Sequence, residues 1–193
     1  MEFLKIQVTK KNTLNMVFKN DNGDIVTVAG ANVVHKDLKA CMRALIPHLA
    51  LMTEQREVYN RSLKQVEADR IQDANSMSVF KWLGVDTVTL SDEQNVISLQ
   101  GTRILQSHDI IKVETPAVLV GDKDKYKYTN ELSLAVDAVI YEAEAYYKEA
   151  KYGIKEGTLD FGDDDPFDGK VTSDQVPQAD IKVAKKIKKA KAA

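Results

Sequence analysis

The residues best suited to chemistry are aromatic and cationic side chains that interleave in the strand-like segments of the chain. Phe80 and Trp82 are two residues apart in Ser78–Leu83, which the pattern predicts to be a strand, so their rings would share one sheet face. Cations in or beside predicted strands are Lys5, Lys19, Lys81, Arg103 and Lys112. Rings that stack on bases and cations that meet phosphates are the requirements for holding a single nucleic-acid strand. A buried aromatic pair and a solvated lysine face are the alternative interpretation.

A second candidate is an acidic segment late in the sequence. It reads Asp160-Phe161-Gly162-Asp163-Asp164-Asp165-Pro166-Phe167-Asp168-Gly169. Acidic residues hold such a segment extended in water, while the Phe rings remain available for a pocket on a partner. The candidate partner-binding residues are therefore Phe161, Asp163, Asp164, Asp165, Pro166 and Phe167. A solubilising acidic linker is the alternative.

Charge is distributed unevenly along the chain. The formal net charge is −2, but residues 160–180 carry a net −6 and residues 181–193 a net +6. The basic block includes Lys185, Lys186, Lys188 and Lys189. Such a block can condense on phosphates as an arm, fold back on the acidic segment, or simply solubilise the end of the chain. The body that precedes both blocks is close to neutral.

Catalytic and metal-binding patterns are not found in the sequence. It contains no glycine-rich phosphate loop, no HExxH pair and no nucleophile elbow. Cys41 and the three histidines, His35, His48 and His108, lack zinc spacing. The cluster 163–168 lacks the alternating ligands of a calcium loop. We therefore predict no enzyme, no metal and no cofactor, with His35 at a helix start and with His48 and Cys41 in structural roles.

The elements that must position these residues begin with a β-meander followed by a helix. Alternation and turn signals predict strands at Phe3–Thr9, Leu14–Lys19 and Asp24–Ala29, with Leu4, Ile6 and Val8 on one face and Phe3 on the other. Spacings of four and three then predict one helix face, formed by Leu38, Met42, Leu45, Leu49 and Met52. Pro47 predicts a kink or break near Ala44–Ile46. Residues 53–76 favour no single element.

The second half repeats this order. Strands are predicted at Ser78–Leu83, Val85–Leu90, Val96–Gln100, Arg103–Leu105, Ile110–Glu114 and Ala117–Val120. A long amphipathic helix then runs from about Asn130 to Tyr152, with Thr129 or Asn130 as its cap. Its predicted buried stripe consists of Leu132, Val136, Val139, Ile140, Ala143 and Tyr147.

These elements predict an α+β domain over residues 1–156, built as antiparallel sheet from two strand-meander-plus-helix units, and a disordered tail over residues 157–193. No apolar run approaches the ~18–20 residues that span a bilayer, and the N-terminus lacks the apolar core of a signal peptide. One cysteine cannot form an internal disulfide, which favours a cytoplasmic location. Open sheet edges favour a homo-oligomer.

One short segment and the body of the sequence each resemble a known family. The run Asp163-Asp164-Asp165-Pro166-Phe167 resembles the acidic tip of bacterial single-stranded DNA-binding proteins, although it lies inside the chain and lacks a residue between the acids and Pro-Phe. That resemblance implies recruitment of replication and repair proteins. The body resembles a family of small proteins of phages and mobile elements in gut bacteria, through Asp21-Asn22-Gly23-Asp24, His35-Lys36-Asp37-Leu38, Leu45-Ile46-Pro47-His48-Leu49-Ala50-Leu51, Glu131-Leu132 to Ala138, and Glu142-Ala143-Glu144-Ala145-Tyr146.

The order of elements is similar to that of the Whirly and PUR-type single-stranded nucleic-acid binders, by analogy of fold alone. Together these features predict a non-enzymatic single-stranded DNA-binding protein of phage or mobile-element replication or recombination, acting in the bacterial host cytoplasm. The alternative is a phage interaction protein that binds no nucleic acid: a virion component, an assembly factor or an inhibitor of a host enzyme.

Overall fold

The computed structural model describes residues 1–70, 78–91 and 93–154. The chain divides into two units, Met1–Glu156 and Gly157–Ala193, and the described residues all belong to the first. Its strands are β1 Glu2–Val8, β2 Thr13–Lys19, β3 Ile25–Val33, β4 Leu83–Leu90, β5 Val96–Ile104, β6 Ile110–Glu114 and β7 Val118–Leu119. Its α-helices are α1 Lys36–Ala44, α2 Ile46–Met52, α3 Leu63–Ala68 and α4 Thr129–Lys148, with 3-10 helices at Arg56–Val58 and Val79–Lys81.

The strands form one antiparallel sheet in the order β3-β2-β1-β4-β5-β6, and β7 also pairs with β5. Two meanders, β1-β2-β3 and β4-β5-β6, therefore meet where β1 pairs with β4. Each meander is followed by helices, so the predicted α+β class and antiparallel sheet are confirmed.

The helices cover one face of this sheet. Side chains on that face are buried, among them Ile6, Met16, Val88 and Leu99 from four adjacent strands. The opposite face, which we call the open face, carries the alternate residues Lys5, Gln7, Asn15, Val17, Lys19, Thr27, Thr87, Thr89, Ser98, Gln100 and Thr102. Amides and hydroxyls predominate on its central strands, where Thr87 is buried, and its outer strands add Ile25, Ile104, Ile110, Lys112 and Glu114.

The predicted strand at Ser78–Leu83 is wrong. Ser78 caps a 3-10 helix at Val79–Lys81 by accepting a hydrogen bond from the Phe80 N–H, and β4 begins only at Leu83. The separate strands predicted on either side of Gly101 are one strand, β5, because Gly101 continues the ladder to Val85 and Val113.

A β-bulge changes the predicted faces of β1. The register with β2 shifts between Phe3 and Lys5, so Leu4 is an extra residue and Phe3 joins Ile6 on the buried face. The Phe3 and Phe18 rings then pack with centroids 5.7 Å apart. The predicted position of Phe3 opposite Ile6 is corrected for this reason.

The helix predictions are confirmed with three corrections, the first of which is that α4 ends at Lys148 and not near Tyr152, which forms a β-bridge with Val34. The break before Pro47 is present, since α1 ends at Ala44 and α2 begins at Ile46. Neither Thr129 nor Asn130 caps α4: position Tyr128 has no side-chain cap bond, and Thr129 Oγ1 accepts from the Gly121 N–H instead. In the buried stripe, Tyr146 is buried while Tyr147 is 45% exposed and packs edge-on against Phe18. No helix in the described part of the chain is long and apolar enough to cross a membrane.

Candidate functional site

Phe80 and Trp82 do not form a platform on the sheet. Phe80 is buried beneath the Arg43 guanidinium, whose carbon lies 5.6 Å from the ring centroid. Trp82 ends the 3-10 helix and is half-buried, with Lys81 Nζ 5.1 Å from its ring centroid. The prediction that both rings share a sheet face is therefore wrong, since a helical turn separates their directions.

Trp82 instead lines an open pocket at one end of the sheet. The pocket has a volume of about 460 Å³ and is lined by Arg56, Glu57, Arg61, Trp82, Arg103, Ile104 and Gln106, a set we call the Trp82 pocket. That volume falls within the range of about 300–1,000 Å³ that small-ligand sites occupy. Glu57 in the lining neutralises Arg103 and Asp69 behind it neutralises Arg61, so Arg56 leaves the site with a net positive charge that favours an anion.

The sheet fixes the Trp82 wall of this pocket. The Trp82 carbonyl accepts the Ile104 N–H at 2.8 Å, and Leu83 pairs with Arg103 across the β4–β5 ladder. Ser78 fixes the turn that precedes Trp82. The backbone positions that carry the indole and the Arg103 side chain are therefore fixed by hydrogen bonds of the sheet and of the capped turn.

The opposite wall comes from the segment that follows α2. Gln55 N–H donates to the Ala50 carbonyl at 2.9 Å, and the Gln55 amide donates to Thr53 Oγ1 at 2.8 Å. The 3-10 helix Arg56–Val58 then presents Arg56 and Glu57 to the pocket. In this segment Arg56 is exposed and Glu57 is partly buried.

Arg103 ties the two walls together. Its Nη1 donates to Glu57 Oε2 at 2.9 Å and to Gln55 Oε1 at 2.6 Å, while Nη2 donates to Glu57 Oε1 at 2.6 Å. The Arg103 guanidinium lowers the pKa of Glu57 below its usual range, and the same contact raises the pKa of Arg103. A fork of this kind fixes geometry, so Arg103 is first a positioning residue. Its predicted place as an open-face cation is corrected: it lies on the helix-covered side.

Arg61 is anchored in a similar way and Arg56 is not. Arg61 binds both Asp69 oxygens, at 2.9 and 3.0 Å, and the Gln65 carbonyl at 2.8 Å. Arg56 is exposed, and its side chain makes no hydrogen bond or ion pair within residues 1–70, 78–91 and 93–154. Arg56 can therefore meet an incoming anion without giving up a hydrogen bond or an ion pair, and Lys81 lies nearby in contact with the indole.

The remaining predicted cations lie elsewhere. Lys5 and Lys19 are on the open face, where Lys5 pairs with Val17 and Thr89 and Lys19 pairs with Ile25. Lys112 is exposed at the β6 edge of the same open face, opposite Thr102, and lines a shallow groove with residues 52–55. The structure therefore brings Lys81, Trp82 and Arg103 together and leaves Lys5, Lys19 and Lys112 apart from them.

The candidate residues of the tail lie outside the described residues. These are Phe161, Asp163, Asp164, Asp165, Pro166 and Phe167, and also Lys185, Lys186, Lys188 and Lys189. Their roles stay predictions.

Sequence reasoning missed Arg56, Glu57, Arg61 and Gln106. Arg56 and Arg61 sit in the charged stretch to which no element was assigned. The one available signal is the density of arginine there, since Arg56, Arg61 and Arg70 are three of the five arginines of the chain.

A second charged cluster joins α1 to the end of α4. His35 Nδ1 accepts the Asp37 N–H and so caps α1, as predicted. Lys151 Nζ lies 2.8 Å from an oxygen of Asp37 and 2.8 Å from an oxygen of Glu142, which lowers the pKa of Asp37 and raises that of Lys151. His35, Asp37 and Glu142 have ligand-type atoms within 4.8 Å of one another, but the ammonium already supplies the positive charge between the carboxylates. The cluster is a clamp between helices.

His48 has the structural role that was predicted. It is 1% exposed in α2, and its Nδ1 lies 2.8 Å from the Tyr126 hydroxyl, which ties α2 to the loop before α4. Burial lowers the pKa of His48 to about 4. The ring is therefore neutral at pH 7.

Comparison of the chain with protein-family models, with curated proteins and with solved structures finds no match in any of the three. The functional argument therefore depends on the site.

Proposed function

We propose that this protein is a non-enzymatic single-stranded DNA-binding protein whose main contact is the Trp82 pocket. The observation that carries the proposal is the meeting of one half-buried indole with Arg56, Arg61, Arg103 and Lys81 at an open pocket. Stacking of a base on an aromatic ring contributes about 1–3 kcal/mol and requires a base that is free of its partner strand. Cations around the ring would hold the adjoining phosphates.

The placement of the cations around the indole favours a nucleic-acid strand over an isolated phosphate ion as the ligand. Lys81 lies over the indole, and Arg56 lies on the other wall with Glu57. A base that stacks on Trp82 would have cations on more than one side, which suits a chain of phosphates passing the pocket. The Glu57 carboxylate is occupied on both oxygens by Arg103, so it offers little repulsion.

The analogy with Whirly and PUR-type proteins extends only to the two meander-plus-helix units. Those proteins lay the strand across an open sheet. In the described strands the aromatic residues are Phe3 and Phe18, and both are buried on the helix side. We therefore propose a binding path at the end of the sheet and not across its open face.

The setting remains part of the proposal. A phage or mobile-element protein of replication or recombination in the host cytoplasm would need single-strand binding, and the acidic segment around Phe161 and Phe167 would recruit protein partners. The basic block with Lys185 and Lys189 would add a second, weaker contact to phosphates.

A titration tests the proposal. A fluorescently labelled short single-stranded oligonucleotide is titrated with the full chain at about 50 mM and about 200 mM salt, with fluorescence anisotropy as the readout. We expect binding that weakens markedly at the higher salt, and weaker binding to a duplex of the same length. Absence of binding at low salt, or binding that is insensitive to salt, contradicts the proposal.

The second candidate is an interaction protein without nucleic acid. The outward side of α4 favours it, since Leu134 is 71% and Tyr141 65% exposed and the two residues lie two turns apart on one helix. This function predicts that the full chain retains a phage or host protein in a pull-down, and that this retention is unaffected by nuclease treatment. Loss of every captured protein on nuclease treatment would instead favour the first candidate.

A further inference from the structure

Strand β6 is an edge whose backbone is poised to pair with another strand. Its register with β5 is defined by two flanking bonds, from the Thr115 N–H to the Leu99 carbonyl and from the Leu105 N–H to the Asp109 carbonyl. Because hydrogen-bonded and non-bonded pairs alternate in an antiparallel ladder, Ile111 and Val113 direct their backbone groups toward β5. Ile110, Lys112 and Glu114 direct theirs away from the sheet.

This edge is uncovered and partly apolar. Ile110 is 65% and Ile111 is 42% exposed, and Ile104, which pairs with Ile110, is 37% exposed. Nothing else in the described part of the chain pairs with β6. An unpaired edge with exposed β-branched residues is a template for another strand.

We propose that a second copy of this chain pairs with β6 in an antiparallel, two-fold arrangement centred on Val113. Centring on Val113 sets Lys112 opposite Glu114 of the second copy, and Glu114 opposite Lys112 of the second copy. These are the residues with outward backbone groups, so each such pair exchanges both backbone hydrogen bonds. The sheet then runs continuously through both copies.

The charges of Lys112 and Glu114 favour the register centred on Val113 over the register centred on Lys112. A two-fold pairing centred on Lys112 would set the two Lys112 ammonium groups opposite each other, which is destabilising. A single lysine on an edge strand normally discourages pairing. Here the carboxylate of Glu114 lies two residues further along the same face, as its hydrogen bond from Gln100 Nε2 at 2.9 Å shows. The Lys-x-Glu pattern is therefore complementary to itself.

Pro116 limits the pairing to a short segment. It follows β6 by two residues, and it lacks a backbone N–H. Ile110 would lie against Pro116 of the second copy, so exposed apolar surface is buried at each end. A strand pair of this length gives a small interface, and the dimer should dissociate at micromolar concentrations.

The test uses charge reversal in the full chain. Sedimentation velocity over a dilution series is expected to show a monomer–dimer equilibrium for the wild type. Lys112→Glu and Glu114→Lys should each weaken dimerisation roughly ten- to thirtyfold, because two attractive pairs become repulsive. Lys123→Glu and Glu131→Lys, at exposed sites outside β6, are the matched controls and should leave the equilibrium unchanged.

Recombining the charges distinguishes this register from a general charge effect. An equimolar mixture of the Lys112→Glu and Glu114→Lys chains should form mixed dimers with near wild-type affinity, and so should the double variant with itself. Circular dichroism verifies that each variant is folded. A wild type that stays monomeric at the highest concentration overturns the proposal, and so does a mixture or double variant that fails to recover dimerisation.

Discussion

The Trp82 pocket and the open face of the sheet offer two different surfaces to a ligand. The open face is broad and carries Lys5, Lys19 and Lys112 among amides and hydroxyls, but the described strands contribute no exposed ring to it. The pocket is small and combines an indole with guanidinium groups held by carboxylates. Charge is present on both surfaces, whereas a stacking partner is present on only one.

The difference lies in rigidity as well as composition. Arg103 and Arg61 are fixed by bidentate contacts with Glu57 and Asp69, so the pocket keeps its shape before a ligand arrives. Preorganised groups lose less conformational entropy on binding than flexible lysines do. The groups suited to recognition, an indole and ordered guanidinium groups, therefore lie together at the irregular end of this sheet and not on its regular face.

The largest expected effect is the loss of folding stability at acid pH through His48, which is buried on the helix-covered side of the sheet that supports the pocket. His48 has a folded pKa of about 4, below the ordinary 6.5, so the unfolded state binds its proton first as pH falls. The contribution of neutral His48 to the free energy of unfolding is fully present above pH 6.5. It is lost as pH falls from 6.5 toward 4, by about 3 kcal/mol in all. Urea unfolding at pH 7 and pH 4.5 measures this loss.

The matched control for the acid effect removes both partners of the buried hydrogen bond. A His48→Leu/Tyr126→Phe double variant should lose this part of the pH dependence while other carboxylates still titrate. An unchanged pH dependence in the double variant would show that His48 does not titrate as the structure requires.

The next effect separates the two surfaces through their rings. Trp82→Ala should weaken single-strand binding roughly ten- to a hundredfold, because one stacked base is lost. Tyr141→Ala removes a more exposed ring from α4 and should leave affinity unchanged. Anisotropy titrations of both variants give the comparison. Equal affinities of the Trp82→Ala chain and the wild type for single-stranded DNA would show that the binding site lies on the open face or in the tail.

The smallest expected effect is on affinity and its salt dependence when one lysine is neutralised on each of the two surfaces. Lys81→Gln at the pocket should weaken binding roughly two- to fivefold and reduce the magnitude of the salt slope by about 0.7, because one phosphate contact disappears. Lys5→Gln makes the same chemical change on the open face and should alter neither quantity. The reverse result, with Lys5→Gln the more damaging, would identify the open face as the path of the strand.

Most of the regular fold follows from residue patterns that are local. Leu14, Met16 and Phe18 alternate and are all buried, and Pro47 ends one helix and begins the next. The β1 bulge could not be predicted, because an extra residue at Leu4 leaves no mark in the composition. Its effect is nonlocal: Phe3 reaches the core only through its pairing with Phe18.

The site was predicted only in part, for a related reason. Trp82, Lys81 and Arg103 were selected for their types, but alternation assigned Phe80 and Trp82 to a strand that a Ser78-capped turn replaces. Arg56 joins the pocket only because Arg103 and Glu57 bring two distant segments together. Ion pairs between residues that are far apart in sequence have no signature in either segment alone.

Trp82 is the one tryptophan of the chain, so its fluorescence reports directly on the proposed site. The decisive measurement is tryptophan emission during titration with unlabelled single-stranded DNA, beside an anisotropy titration at the same salt. The account predicts saturable quenching whose midpoint matches the anisotropy curve and weakens with salt. Binding by anisotropy with unchanged tryptophan emission, or no binding at all, would contradict it.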